Sequence, residues 1–135
     1  GLKARLFGGE MLKTPNFLSL AGPAAEGTVA SLAGLPADRM PGGTAFAEKY
    51  RARFSEDVQV YAPFAYDGAM TLIEAMKRAN SADPAKVLPE LAKIERAGVT
   101  SARIAYDDKG DLREGTITVY EVKDGAWQVL EAVGQ

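Results

Sequence analysis

Residues Gly1-Leu2-Lys3-Ala4-Arg5-Leu6-Phe7-Gly8-Gly9-Glu10 decide how the rest of the chain is read, because a short strand opens the sequence and ends on two glycines and a carboxylate. Arg5-Leu6-Phe7 has the apolar and extended character of the strand. Thr14-Pro15 then supplies an N-cap and a first helical residue whose φ is already set. A short helix is predicted from there, with Phe17, Leu18 and Ala21 on one face. It stops at Gly22-Pro23, where a left-handed C-cap and a proline both oppose continuation. Thr28 to Ala33 reads as a second strand. No Met, no basic leader with an apolar run of roughly 7–15 residues and no small-residue cleavage site precedes the first strand, so the chain is expected to begin inside a larger protein, as a carboxy-terminal fragment.

Outward from this opening, residues 34–43 hold two Pro and three Gly with little periodicity, the composition of an irregular connection. A helix is predicted from about Thr44, with Phe46, Tyr50 and Phe54 at i, i+4 and i+8 and most charges on the other faces. A longer one is predicted from about Phe64 to Ala79. There Ala65, Ala69, Leu72, Ile73 and Met76 make an apolar stripe, and Lys77 and Arg78 suit the negative end of the helix dipole. Asp83-Pro84 opens a further helix carrying Val87, Leu88, Leu91 and Ile94. Pro89 removes one backbone bond there, and either kinks this helix or marks its true start.

After Gly98 the period changes to two. Thr100 to Tyr106 reads as a strand, Asp107 to Asp111 as a turn and Thr116 to Val122 as an alternating β-branched strand. Asp124-Gly125 signals a type I′ hairpin, since both central positions need φ > 0. Trp127 to Val133 returns from it. Strands alternating with helices give an α/β protein, with helices packed on a sheet.

The bulk composition excludes more than it assigns. With 135 residues, 47% of them apolar, the chain can bury one core. Sixteen basic against 18 acidic residues, scattered, leave a net charge of −2 and no electrostatic footprint for nucleic acid. No window approaches the roughly 18 apolar residues of a membrane-spanning helix. Without Cys or His there is no thiol nucleophile, no Ser-His-Asp triad and no Cys/His metal site. No cofactor is expected, and an enzyme would have to work with Asp, Glu or Lys alone. Asp107, Asp108 and Asp111 lack the alternating spacing and distal Glu of a calcium loop, and Gly42-Gly43-Thr44 lacks the GK[ST] of a phosphate loop.

The opening Gly-Leu-Lys-x-x-x-Phe-Gly-Gly-Glu resembles the carboxy-terminal part of type I periplasmic binding proteins. So do Ala25-Glu26-Gly27 before a strand, the run Val60-Tyr61-Ala62-Pro63-Phe64-Ala65-Tyr66-Asp67 into a helix, and the turn Tyr106-Asp107-Asp108-Lys109-Gly110-Asp111-Leu112. The resemblance covers essentially the whole chain. More narrowly, the chain is similar to the leucine/isoleucine/valine-binding branch that serves ABC importers.

That resemblance implies a fragment of a two-lobed fold, with helices on a mostly parallel sheet and a C-terminal β-hairpin. It places residues 1–33 and 100–135 in the second lobe and 34–99 in the first, with ligand held between lobes that close by a hinge. The loop that holds the ligand carboxylate is expected to precede these residues. By position, Glu10 matches the family carboxylate that pairs with a ligand ammonium, a role suited to a charge-assisted hydrogen bond. Tyr61 matches a family aromatic lining the side-chain pocket. Gly9 and Met11 flank Glu10 and are expected to touch the ligand; Met11 departs from the small residue common there, and a related branch binds aromatic acids.

The implied partners are a small amino acid or carboxylate and an ABC permease, outside the cytoplasmic membrane, in the periplasm or tethered to the membrane. A sensor domain on the same fold is the alternative. A fragment lacking half its sheet partners is also expected to self-associate through exposed apolar surface and open strand edges.

Overall fold

A computed structural model describes residues 3–134; Gly1 and Leu2 of the opening motif, and Gln135 at the end of the last expected segment, lie outside the described residues. The chain forms two compact units. One comprises the residues up to Pro36 together with those from Gly115 onward, and the other spans Ala37–Glu114.

In the first unit, strand β1 (Phe7–Gly8) runs into a 3₁₀ turn, Glu10–Leu12, and then helix α1 (Pro15–Ala21). Thr14 caps α1 as its sequence predicts: its hydroxyl accepts the Phe17 N–H at 3.1 Å. Strand β2 (Val29–Ala33) follows and pairs parallel with β1, Phe7 opposite Val29 and Gly8 opposite Ala30. Strands β5 (Ile117–Lys123) and β6 (Ala126–Val133) complete a sheet in the order β1-β2-β5-β6. The α/β class is as expected, and parallel pairing within these residues is confined to β1 and β2. The crossover through α1 permits it there, whereas the tight β5–β6 hairpin requires antiparallel strands.

The hairpin turn follows its sequence signal. Asp124 and Gly125 have φ of 55° and 73°, and the Glu26 carboxylate accepts both of their backbone N–H groups. Strand β5 alternates, turning Thr118, Tyr120 and Val122 inward, with Tyr120 opposite Ala30 and Thr118 opposite Leu32 of β2. Each large apolar side chain so buried contributes about 1.5–3 kcal/mol.

The second unit carries helices α2 (Gly43–Phe54), α3 (Ala62–Ala79) and α4 (Pro84–Leu91), and a two-stranded ladder of β3 (Glu95–Arg96) with β4 (Ile104–Ala105). Phe46 and Tyr50 of α2 stack at 6.1 Å between ring centres, Tyr50 and Phe54 at 4.8 Å, and Phe46 meets Tyr66 of α3 at 5.3 Å. Helix α4 begins at Pro84, where Asp83 accepts the Ala85 N–H, and runs through Pro89 without a break. Its inward residue Val87 packs with Ala75 and Ile94 in the core of the unit.

Two expectations are corrected here. The strand from Thr100 to Tyr106 shrinks to Ile104–Ala105, because the backbone of Val99 and Thr100 bonds to a side chain instead of a neighbouring strand. Its partner β3 carries no strand signal of its own. The long helix also turns its other side inward: Pro63, Asp67, Thr71 and Ala75, four residues apart, are buried, while Ala65, Ala69, Leu72, Ile73 and Met76 are exposed. The stripe is thus an exposed apolar face among the described residues.

Asp67 explains the inversion. It is buried, and its carboxylate accepts the N–H groups of Val99 at 2.9 Å and Thr100 at 2.8 Å and the Thr100 hydroxyl at 2.7 Å. The Arg96 guanidinium stands 3.7 Å away.

Candidate functional site

Gly9, Glu10 and Met11 come together on one short feature, the 3₁₀ turn that leaves the carboxyl end of β1. In open α/β sheets this end of a strand is where ligands bind. The local sequence makes the turn. Gly8 lies against the Leu12 side chain so closely that a Cβ there would collide with it, and the Lys13 N–H bonds back to the Glu10 carbonyl at 3.0 Å. Leu12 and Lys13 are half-buried and anchor the turn, whereas Gly9, Glu10 and Met11 are exposed. A Cβ on Gly9 would meet nothing within 4 Å, so this glycine leaves open space beside Glu10.

Glu10 is acidic, exposed and, among the described residues, engaged in no hydrogen bond or ion pair through its carboxylate. That leaves its oxygens available to an incoming cation. Lys13 is different: its ammonium lies 4.4 Å from the centre of the Tyr120 ring, and partial burial lowers its pKa from the ordinary 10.5. Sequence reading did not single out Lys13, because a lysine ahead of Thr-Pro carries no signal of partial burial. Trp127 secures the next element, with its ring 5.8 Å from Phe17 and its indole N–H bonded to the Thr14 carbonyl at 3.4 Å.

Tyr61 belongs to the other unit, at the residue preceding α3, with φ −91° and ψ −9° and its ring half exposed. Pro63 in the first turn fixes the start of that helix and so the direction in which Tyr61 leaves it. The same unit has a groove of about 550 Å³ between α4 and the 106–113 turn, lined by Leu88, Leu91, Ala92, Tyr106, Lys109 and Arg113. None of the four candidate residues lines it.

Ion pairs elsewhere in this unit are structural. Arg103 joins Glu95 at 2.9 Å and Glu114 at 3.0 Å, which holds Glu95 below its ordinary pKa and raises that of Arg103. Asp107 is held low by the N–H groups of Asp111 and Lys109, which its carboxylate accepts in the turn. Among the described residues no three acidic groups cluster as metal ligands, and no helix is long and apolar enough to cross a membrane.

A family model described as periplasmic binding protein matches residues 1–126. The chain is 28% identical over 121 residues to the leucine-, isoleucine-, valine-, threonine- and alanine-binding protein of Pseudomonas aeruginosa, covering 90% of this chain and 32% of that protein. It is 29% identical over 126 residues to a Leu/Ile/Val-binding protein homologue of Brucella suis, covering 93% of this chain and 33% of the relative. The chain thus spans about a third of the length of the curated relatives it matches.

Solved structures share the fold. A leucine-binding protein of Thermotoga maritima superposes with a TM-score of 0.82 at 23% identity over 99% of this chain and 38% of its own. A solute-binding protein of an R. palustris ABC transporter, crystallised with benzoate, superposes at 0.68 with 22% identity, over 97% of this chain and 37% of its own.

Proposed function

This chain belongs to the periplasmic binding protein family, and on that premise we propose that it is part of the substrate-binding component of an ABC importer, taking up a small amino acid of the branched-chain type. The observation that carries the reading is Glu10: an exposed carboxylate without a partner among the described residues, on a turn opened by two glycines, at the carboxyl end of a parallel strand. An α-ammonium leaving water needs such an anion. Gly9 gives the ligand backbone room, Met11 supplies an adaptable apolar contact, and Tyr61 lines the side-chain pocket. In this reading residues 1–33 and 100–135 are part of the second lobe and residues 34–99 part of the first, and the ligand is delivered outside the cytoplasmic membrane to a permease. No step of this function requires a cofactor.

The full reading frame, freed of bound ligand, tests it in a thermal-shift panel of leucine, valine, phenylalanine and benzoate. A ligand at about 100 times its dissociation constant adds about 2.7 kcal/mol to the folded state. Stabilisation by aliphatic amino acids that Glu10→Gln abolishes supports the proposal. A second reading, an aromatic or organic acid as ligand, is favoured by the benzoate complex of the R. palustris structure. Stabilisation by benzoate alone, unaffected by Glu10→Gln, selects it.

The exposed stripe of α3 supports self-association of the isolated 135-residue chain, since Leu72, Ile73 and Met76 are each more than a third exposed. Sedimentation velocity reads this directly: oligomers that Ile73→Lys disperses are expected, and a monodisperse monomer at high concentration overturns it.

A further inference from the structure

We propose that Asp67 acts as a tethered anionic ligand, and that residues 98–101 form an anion-binding nest that keeps its shape only while a carboxylate fills it. The donors are successive and convergent: the backbone N–H groups of Val99 and Thr100, and the Thr100 hydroxyl, all lie within 2.9 Å of the carboxylate oxygens. Arg96 closes the site from β3, with its guanidinium 3.7 Å from one carboxylate oxygen and its N–H groups reaching the Thr71 hydroxyl at 3.3 Å and the Asp67 carbonyl at 3.5 Å. The Thr71 hydroxyl in turn donates to the same carbonyl at 2.7 Å. Successive backbone N–H groups turned toward one point make a concavity for an anion.

The backbone is shaped around this anion. Gly98 N–H bonds to the Ser101 carbonyl at 2.9 Å, tightening the segment, and a Cβ on Gly98 would stand 2.6 Å from an Asp67 carboxylate oxygen. Val99 accepts the Gly42 N–H at 3.0 Å, and a Cβ on Gly42 would lie 2.9 Å from the Val99 Cα. The start of α2 thus reaches the segment between β3 and β4 through Val99, and the inward face of α3 reaches the same segment through the Asp67 carboxylate. The Val99 and Thr100 N–H groups and the Thr100 hydroxyl all point at Asp67.

The distinction between an anion requirement and ordinary packing is open to chemical rescue. In the protein expressed from its full reading frame, Asp67→Ala empties the nest and leaves room for formate. Amide hydrogen exchange at Val99 and Thr100 is expected to accelerate about tenfold or more, the factor for losing a charge-assisted hydrogen bond. Sodium formate is expected to restore protection saturably, and sodium chloride at equal ionic strength not to. Equal effects of the two salts, or wild-type protection in Asp67→Asn, overturn the proposal. Should Asp67→Ala fail to fold, Thr100→Val removes one donor and leaves the carboxylate. Selective loss of protection at residues 99 and 100 supports the nest, and unchanged protection there overturns it.

Discussion

Glu10 and Asp67 are two carboxylates with opposite assignments. Glu10 stands exposed on a turn with no partner among the described residues, while Asp67 is 4% exposed and holds two amides and a hydroxyl. The residue type is nearly the same, and the surroundings decide the use. A carboxylate whose acceptor sites are filled by the fold cannot also receive a ligand, and one that must receive a ligand is left unsatisfied until the ligand arrives. The two sites differ in origin as well: strand β1 and two glycines present Glu10, whereas Asp67 organises a loop 32 residues further on.

The largest test of that contrast is truncation of the buried acid. Asp67→Ala leaves two amides and a hydroxyl without their acceptor and removes the charge beside the Arg96 guanidinium, and is expected to cost about 3–5 kcal/mol in urea denaturation. A loss below about 1 kcal/mol would remove the distinction between the two carboxylates. Next comes Gly43→Ala, at the first residue of α2, where a new Cβ would run into the Ala37 carbonyl. Backbone cannot swing aside as a side chain tip does, so a loss of about 1–3 kcal/mol is expected. Gly9→Ala, beside Glu10, meets open space and is expected to change stability by less than about 0.5 kcal/mol. Equal losses at the two glycines would mean that the turn around Glu10 is as tightly packed as the helical unit.

Glu95 and Asp107 are held below their ordinary values of 4.5 and 3.8, Glu95 by Arg103 and Asp107 by turn N–H groups. A depressed carboxylate contributes stability that is present above its unfolded pKa and lost as pH falls through its folded pKa. Urea midpoints measured from about pH 7 to 3 should therefore hold level and then decline below about 4.5, with Arg103→Gln flattening the Glu95 share. Glu95 is exposed and Asp107 half-buried in a surface turn, so the decline is expected to be smaller than the effect of either Asp67→Ala or Gly43→Ala.

What the sequence reveals depends on how local the determining contact is. Thr14-Pro15, Asp83-Pro84 and Asp124-Gly125 each specify a cap or turn from within two residues, and each forms as read. The apolar stripe of α3 is equally plain, yet periodicity reports which face is apolar and not which face finds a partner among these residues. The buried side is set by Asp67 reaching Val99 and Thr100, a contact no window of sequence contains. The same contact erases the first half of the strand read at residues 100–106 and leaves β3 as an unannounced two-residue partner. The candidate site was less legible still. Composition gives Glu10 and Tyr61 no distinction from any exposed acid or half-exposed ring; resemblance to a family singles them out, and the fold adds the strand end and the open space at Gly9.

The smallest expected effect is the sharpest test of Glu10. Its carboxylate bonds to nothing among the described residues and lies in water, so Glu10→Gln removes one charge without leaving a donor unpaired. Without ligand, the urea midpoint should stay within about 0.5 kcal/mol of wild type. The same substitution is expected to abolish the stabilisation given by an amino acid ligand, because the neutral amide cannot balance a desolvated ammonium. Stability and binding should thus separate completely at residue 10 and, at Asp67, fall together. A Glu10→Gln loss above about 1 kcal/mol in the absence of ligand would show that this carboxylate, like Asp67, is spent on the fold.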